Sequence, residues 1–98
     1  MIQRTVLLKF SESTTAEQLQ EVITRFTALK DQLSGIIEIH AGLNKAEKSK
    51  EYQVILMVRF ADQAALDAYT TNEDHQAVAA FIREVGRVDS IGVDIDLD

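Results

Sequence analysis

Four stretches in which apolar and polar residues alternate, separated by two stretches with helical spacing, most constrain the fold of this chain. Because alternate side chains of a strand point to opposite faces, we predict strands over residues 2–10, 36–43, 52–60 and 91–98. Apolar residues recur at helical spacing between Leu19 and Leu33, and again between Ala65 and Val85. The order βαββαβ predicts a ferredoxin-like α+β fold, in which helices cover one face of a four-stranded antiparallel sheet.

Side chains that can accept hydrogen bonds from backbone N–H groups mark where the helices begin. The candidates are Asp62 and Asn72 as N-caps, and either Thr14 with Glu17 or Thr15 with Gln18 as a capping box. Thr70 and Thr71 are β-branched and therefore poor helix formers. The segment that begins after Asp62 is expected to break at these two threonines into two helices.

The composition limits both the size of the core and the classes of partner. Ninety-eight residues without cysteine are expected to form one domain, over residues 1–98, without disulfides or thiolate metal sites. Ten basic against sixteen acidic residues give a net charge of −6, which argues against nucleic acid and anionic membranes as partners. No apolar run approaches the ~20 residues of a membrane span and the start does not resemble a leader, so we expect a cytoplasmic protein.

The sheet face that points away from the helices is expected to mix apolar and charged side chains. Its apolar members are predicted to be Leu7, Ile36, Ile55 and Met57, among the polar residues Thr5, Lys9, Glu38, His40, Gln53, Arg59, Asp94 and Asp96. A second copy of the sheet would bury the apolar residues and pair the charges, which predicts a homodimer through this face. The alternative is a solvated sheet face with a few isolated apolar residues.

His75 and Tyr69 are polar residues on helix faces that are otherwise apolar. If Asn72 is the N-cap, His75 is the third helical residue and shares a face with Val78 and Ile82. Its ring is then expected to enter the layer between the helices and the sheet. Tyr69 lies on the core side of the preceding helical stretch, so we predict that one cavity contains both side chains.

A neutral histidine at this place could act as a general base, and the tyrosine hydroxyl could hydrogen-bond it or a substrate oxygen. The positive end of the helix dipole favours a neutral ring, whereas Glu73 and Asp74 favour a protonated one. The sequence therefore leaves the direction of the pKa shift of His75 open. The alternative role is structural, with a buried histidine bonded to a backbone carbonyl and a buried tyrosine whose hydroxyl is satisfied.

Arg4 stands in the apolar register of the first strand, where a charge needs a partner or a polar cavity. It is expected either to line the mouth of the pocket or to reach solvent at the sheet edge. The two histidines, His40 and His75, are predicted on opposite sides of the sheet without carboxylates at ligand spacing. There is no glycine-rich phosphate loop, and we predict neither a metal site nor a cofactor.

Several short motifs occur in a specific order along the chain. They are RTVLLKF at residues 4–10, Gly42-Leu43-Asn44 after the second strand, Tyr52 before the third, FADQAALDAY at 60–69, NEDHQAV at 72–78 and VDI at 93–95. Each motif is weak alone, but together they cover essentially the whole chain and resemble the stress-responsive A/B barrel domain family, called Dabb. The resemblance implies a dimeric α+β barrel, in which two subunits join their sheets.

The same resemblance implies a site. The family includes a polyketide cyclase that closes its substrate by aldol condensation without a cofactor, and its helix histidine and assisting tyrosine match His75 and Tyr69. Its first-strand histidine is replaced here by Arg4, and the usual His-Pro before the helix histidine is Asn72-Glu73. The implied apolar lining of the pocket is Val6, Leu8, Val22, Ile23, Phe26, Ile39, Leu56 and Ile82.

Three functions are compatible with these residues. One is a non-catalytic dimeric module, related to stress or to binding a small apolar ligand. Another is a cofactor-free enzyme that abstracts a proton next to a carbonyl, with His75 as base, Tyr69 as oxyanion donor and Arg4 binding an anionic group. The third is a monooxygenase of the antibiotic-biosynthesis type, which shares the architecture. We predict the first, because one His–Tyr pair does not establish turnover.

Overall fold

The computed structural model describes residues 1–97, and within them four strands alternate with helices in the predicted order. The strands are β1 (Ile2–Phe10), β2 (Ile36–Leu43), β3 (Val54–Phe60) and β4 (Arg87–Asp96). The helices are α1 (Ala16–Thr27), α2 (Leu29–Gln32), α3 (Gln63–Thr71) and α4 (Glu73–Glu84), and a 3₁₀ turn spans Glu47–Ser49. Asp98, which the alternation included in the last strand, lies outside the described residues.

The strands form one antiparallel sheet in the order β2-β3-β1-β4, which confirms the predicted ferredoxin-like α+β fold. The core lies between this sheet and the helices. It joins the helix residues Val22, Phe26, Leu29, Leu66, Val78 and Ile82 to the strand residues Leu8, Phe10, Val54, Leu56, Val58 and Phe60. None of the helices in residues 1–97 is long and apolar enough to cross a membrane.

The helix starts follow the predicted caps. Thr15 and Gln18 form the capping box of α1, each side chain accepting from the other residue's backbone N–H. Asp62 accepts from the backbone N–H of Ala65 at the start of α3. Asn72 caps α4 through its side-chain oxygen. Of the two capping boxes that the sequence allowed, the structure contains the second.

The break between α3 and α4 lies at Asn72 rather than at Thr70–Thr71. Both threonines stay helical, and each hydroxyl donates to a backbone carbonyl three residues earlier, at Asp67 and Ala68. Because these bonds are made within the helix, the low helix propensity of the threonines does not end it. Asn72 has an extended backbone (φ −68°, ψ 136°), and this single residue separates the two helices.

Strand β2 departs from alternation at its start. Ile36 pairs with Phe60 and Glu38 pairs with Arg59, so Ile37 is an extra residue that forms a bulge. Ile36 consequently packs into the core, with 8% of its surface exposed, whereas Ile37 is 40% exposed. The prediction that Ile36 lies on the open sheet face is wrong, because strict alternation takes no account of a bulge.

The side chains of strand β4 lie on the opposite faces of the sheet from those predicted. Arg4 pairs with Asp94 and Thr5 with Val93, and directly paired residues share a face of the sheet. Asp94 and Asp96 therefore lie on the helix side, and the open face receives Ile91, Val93 and Ile95. The prediction that the two aspartates lie on the open face is wrong. Almost all of β4 is exposed on both faces, so its apolar residues are not drawn toward the helices.

The bulge in β2 predicts that two adjacent isoleucines contribute differently to the free energy of unfolding. We expect Ile36→Ala to lower the free energy of unfolding by about 2–5 kcal/mol, because it leaves a cavity in the core. The matched change Ile37→Ala should cost less than half as much, because that side chain is largely exposed. Urea unfolding of both variants measures the difference. Strict alternation would give the opposite ranking, which would contradict the bulge.

Candidate functional site

A cavity of about 230 Å³ lies between the sheet and the helices α1, α3 and α4. Five polar residues line it: Arg4, Tyr69, His75, Arg87 and Ser90. The rest of the wall is apolar and consists of Val6, Leu8, Phe26, Leu56, Val58, Val78, Ala79 and Ile82. Since Ser90 is exposed, the cavity reaches the surface beside β4.

The structure brings most of the predicted site residues to this cavity. Tyr69 and His75 both line it, as do Arg4, Val6, Leu8, Phe26, Leu56 and Ile82. Three predicted lining residues are elsewhere: Val22 is completely buried in the core, and Ile23 and Ile39 pack against that core. Helix and strand periods give the face on which a side chain lies, but not its position along that face, so these three could not be separated from the others by pattern alone.

The rings of Tyr69 and His75 are in direct contact. Their centroids are 4.1 Å apart, and the planes are inclined by 38°. Tyr69 also meets Phe60 edge-on, with centroids 5.0 Å apart. The side-chain oxygen of Asn72 accepts from the backbone N–H of His75 at 3.4 Å, which fixes the first turn of α4. The capped break between α3 and α4 thus holds the two rings against each other.

Burial lowers the pKa of His75 below its ordinary value of 6.5, and the positive charge of Arg4 lowers it further. A hydrogen-bonding contact of the ring with the backbone carbonyl of Thr70 raises the pKa but does not reverse the shift. The ring is therefore neutral at pH 7, which decides the question that the sequence left open. Its Nδ1 atom is buried and makes no well-formed hydrogen bond within residues 1–97.

Burial shifts the pKa of Tyr69 in the opposite direction to that of His75, and so keeps the tyrosine hydroxyl protonated. Burial raises the pKa of its hydroxyl to about 12, and the nearby charge of Arg4 only partly opposes this. The phenol remains protonated at pH 7 and can donate a hydrogen bond. A neutral imidazole and a neutral phenol therefore stand side by side in the cavity.

Arg4 lines the cavity and also forms an ion pair with a residue of β4. Its Nε and Nη2 atoms donate to the two carboxylate oxygens of Asp94, at 2.8 and 3.0 Å. The bond to Arg4 holds the pKa of Asp94 below its usual value. The arginine side chain is 24% exposed, so it combines the two positions that the sequence left as alternatives. Asp94 was not among the predicted site residues because its strand face was assigned wrongly.

Arg87 is a lining residue that the sequence reasoning missed. It pairs with Phe10, while Asp89 pairs with Lys9, so Val88 is an extra residue in β4. Counting back from Ile91 by twos would put Arg87 on the open face, and the bulge at Val88 returns it to the helix side. Its Nε atom is buried and has no hydrogen-bond partner among residues 1–97. Gly86, directly before Arg87, is a local signal of irregular backbone, but it is too weak to identify a site.

The polar groups at the cavity are few and stand in an apolar wall. Within residues 1–97, no three His, Asp or Glu side chains are grouped closely enough to hold a metal ion. The polar groups that enter the cavity are two arginines, one phenol, one imidazole and one hydroxyl. They can donate hydrogen bonds, accept one at His75 and supply positive charge.

The family model of the stress-responsive A/B barrel domain, Dabb, matches residues 2–96. This chain belongs to the Dabb family. No curated protein matches it.

Solved structures of low sequence identity share the fold over nearly the whole chain. A dimeric ferredoxin-like protein of unknown function from Jannaschia sp. CCS1 is 25% identical, with 98% of both chains covered and a TM-score of 0.83. A protein from Arabidopsis thaliana is 16% identical, covers 100% of this chain and 96% of its own, and has a TM-score of 0.87. The hydroxynitrile lyase from Passiflora edulis is 9% identical, with 99% and 93% covered and a TM-score of 0.84. The last two likenesses are of fold alone.

The depressed pKa of His75 makes a prediction about stability and pH. A group whose folded-state pKa lies below the unfolded value, about 6.5 for histidine, stabilises the protein fully above that value. This stabilisation is lost as the pH falls through the lower folded-state pKa, because protons then favour the unfolded chain. We expect the wild type to lose more stability than His75→Gln between pH 7 and pH 5, measured by urea unfolding. His40→Gln controls for loss of a histidine elsewhere, and an equal pH response of wild type and His75→Gln would contradict the assignment.

Proposed function

We propose that this Dabb chain forms a homodimer in which each subunit binds a small, mostly apolar molecule in the cavity between helices and sheet. The observation that carries the proposal is the contact between a neutral His75 and a protonated Tyr69 in the wall of a largely apolar cavity of about 230 Å³. A hydroxyl or carbonyl group of a bound molecule would hydrogen-bond to these polar rings, while the apolar wall would cover the rest of the molecule.

The size of the cavity limits the ligand. An engineered apolar cavity of about 150 Å³ holds benzene, whereas sites for larger ligands measure roughly 300–1,000 Å³. A space of about 230 Å³ therefore suits a single ring, or a short chain, with a few substituents. The apolar wall favours the body of such a molecule, and Tyr69 and His75 favour one hydroxyl or carbonyl group on it.

The homodimer would use the open sheet face, which we define as Leu7, Ile55, Met57, Ile91, Val93 and Ile95. Three of these residues are largely exposed in the single chain: Ile91 by 42%, Val93 by 51% and Ile95 by 54%. They continue the apolar residues of β1 and β3 through direct pairs such as Leu7 with Ile91. A continuous apolar patch of this kind is typical of an interface, and the Jannaschia relative is described as dimeric.

The dimer predicts the effect of one charge on the open sheet face. Met57→Lys should convert a dimer into a monomer in sedimentation at micromolar concentration, because each buried Met contributes roughly 1.5–3 kcal/mol and a twofold interface contains it twice. The control Thr24→Lys adds the same charge to an exposed helix position and should leave the dimer intact. A wild type that sediments as a monomer would reject the proposed assembly.

Two adjacent alanines of α4 test the cavity. Ala79 lines it, whereas Ala80 is exposed, so Ala79→Leu should fill the cavity and Ala80→Leu should not. We expect phenol to raise the melting temperature of the wild type and of Ala80→Leu, but not of Ala79→Leu. His75→Phe keeps a ring but removes the acceptor, and should weaken phenol binding by about 2–10-fold. Equal responses of both alanine variants would place phenol outside this cavity.

The neutral His75 beside a protonated Tyr69 favours a second candidate, a cofactor-free enzyme. The imidazole could remove a proton next to a carbonyl while the phenol donates to the oxygen on which negative charge develops. This candidate requires a small carbonyl compound that fits the same cavity. The same variants distinguish catalysis from binding alone. Catalysis would make the α-hydrogens of acetophenone exchange for deuterium faster with the wild type than without protein. His75→Phe and Ala79→Leu should lose this acceleration. Binding without exchange leaves the first proposal.

A further inference from the structure

We infer that Arg87 is an anion-binding residue of this cavity, and that the ligand is a small monocyclic carboxylate. The inference rests on the proposed binding function and adds the chemical class of the ligand. It assigns the anion to Arg87 and not to Arg4, which the sequence alone had suggested for an anionic group. The reasons are the pairing of the two arginines, their places along the cavity, and the fit of a carboxylate to the unpaired one.

The two arginines of the cavity differ in their partners. Arg4 gives two hydrogen bonds to Asp94, so this pair carries no net charge. Arg87 forms no ion pair with the described residues 1–97, and its buried Nε has no hydrogen-bond partner there. The cavity therefore contains one uncompensated positive charge, although the chain as a whole carries a net charge of −6. A bound anion would compensate it.

The uncompensated charge lies away from the His–Tyr pair. Arg4 pairs with Asp94 near one end of β1, and Arg87 pairs with Phe10 at the other. At 3.2–3.4 Å per residue, the two attachment points are about 20 Å apart along the strand, so the long side chains enter the cavity from different ends. Tyr69 meets Phe60 edge-on, and Phe60 pairs with Ile2 of β1. The contacting rings of Tyr69 and His75 therefore lie at the Arg4 end. Arg87 belongs to the other end, together with the exposed hydroxyl of Ser90.

A carboxylate fits the Arg87 end better than other groups would. A partly buried guanidinium without a counter-ion loses hydration and gains nothing in return. A carboxylate can accept from both terminal nitrogens of the guanidinium at once, in a planar two-bond geometry that arginine favours. Inorganic anions could do the same, but they would leave the apolar wall between the two ends uncovered. A ring with a carboxylate at one end and a hydroxyl at the other would cover the wall and reach His75.

A pair of probes of the same shape tests this inference. 4-Hydroxybenzoate carries the charge, and 4-hydroxybenzamide is neutral and of nearly equal size. We expect calorimetry to show that the wild type binds the acid roughly tenfold more tightly than the amide, as a charge-assisted hydrogen bond would give. Arg87→Gln should remove this preference, and the variant should still bind the amide, which also shows that the cavity is intact. The control Arg83→Gln removes the same charge from an exposed position of α4 and should preserve the preference.

The other possible outcomes distinguish the anion-binding role of Arg87 from the proposed binding of small molecules in the cavity. Equal binding of acid and amide by the wild type would overturn the role of Arg87 while leaving a cavity that binds small molecules. A preference that survives Arg87→Gln but disappears in Arg4→Gln would assign the anion to Arg4 and overturn the inference as well. Loss of amide binding in Arg87→Gln would show that Arg87 supports the cavity rather than the anion. Binding of neither probe, with no effect of phenol, would reject the binding function itself.

Discussion

The break in the helix at Asn72 is the constraint on which the site depends. In an uninterrupted α-helix, Tyr69 and His75 would lie about 9 Å apart along the axis and roughly 120° apart around it. Such rings could not touch. One extended residue, fixed by the Asn72 side chain accepting from the first turn of α4, lets the two helices approach the sheet at different angles. The rings then meet with centroids 4.1 Å apart.

The contact matters chemically because burial affects the two rings in opposite directions. Burial lowers the pKa of His75 and raises that of Tyr69 to about 12, so both are neutral over the same range of pH. One can accept a proton or hydrogen bond while the other donates. Arg4 supplies positive charge nearby, and Asp94 compensates that charge from the neighbouring strand. The site therefore keeps an acceptor and a donor without carrying excess charge at this end.

Local features of the sequence were sufficient for the fold and for part of the site. Strand alternation, the helix stripes and the caps at Asp62 and Asn72 depend on neighbours in the chain, and the structure agrees with them. The wrong faces of Ile36, Asp94 and Asp96 and the omission of Arg87 occur where a bulge or the packing of an edge strand decides the face. These depend on which residue of another strand lies opposite, and one sequence does not contain that information. The sequence placed His75 and Tyr69 on the core side of their helices but could not show that their rings touch, because that contact depends on how the two helices pack.

Strand β4 links the cavity to the open sheet face. The side-chain alternation that gives Asp94 to the helix side necessarily gives Val93 and Ile95 to the other face. A slip of one residue in the pairing with β1 would exchange these sets, removing the partner of Arg4 and burying the apolar residues beside the helices. β4 is an edge strand that the helices scarcely cover, so within one chain its register depends on the pairing with β1 and on side-chain bonds such as Arg4–Asp94. A second subunit packed on the open sheet face would hold it, and would thereby keep Asp94 and Arg87 at the cavity.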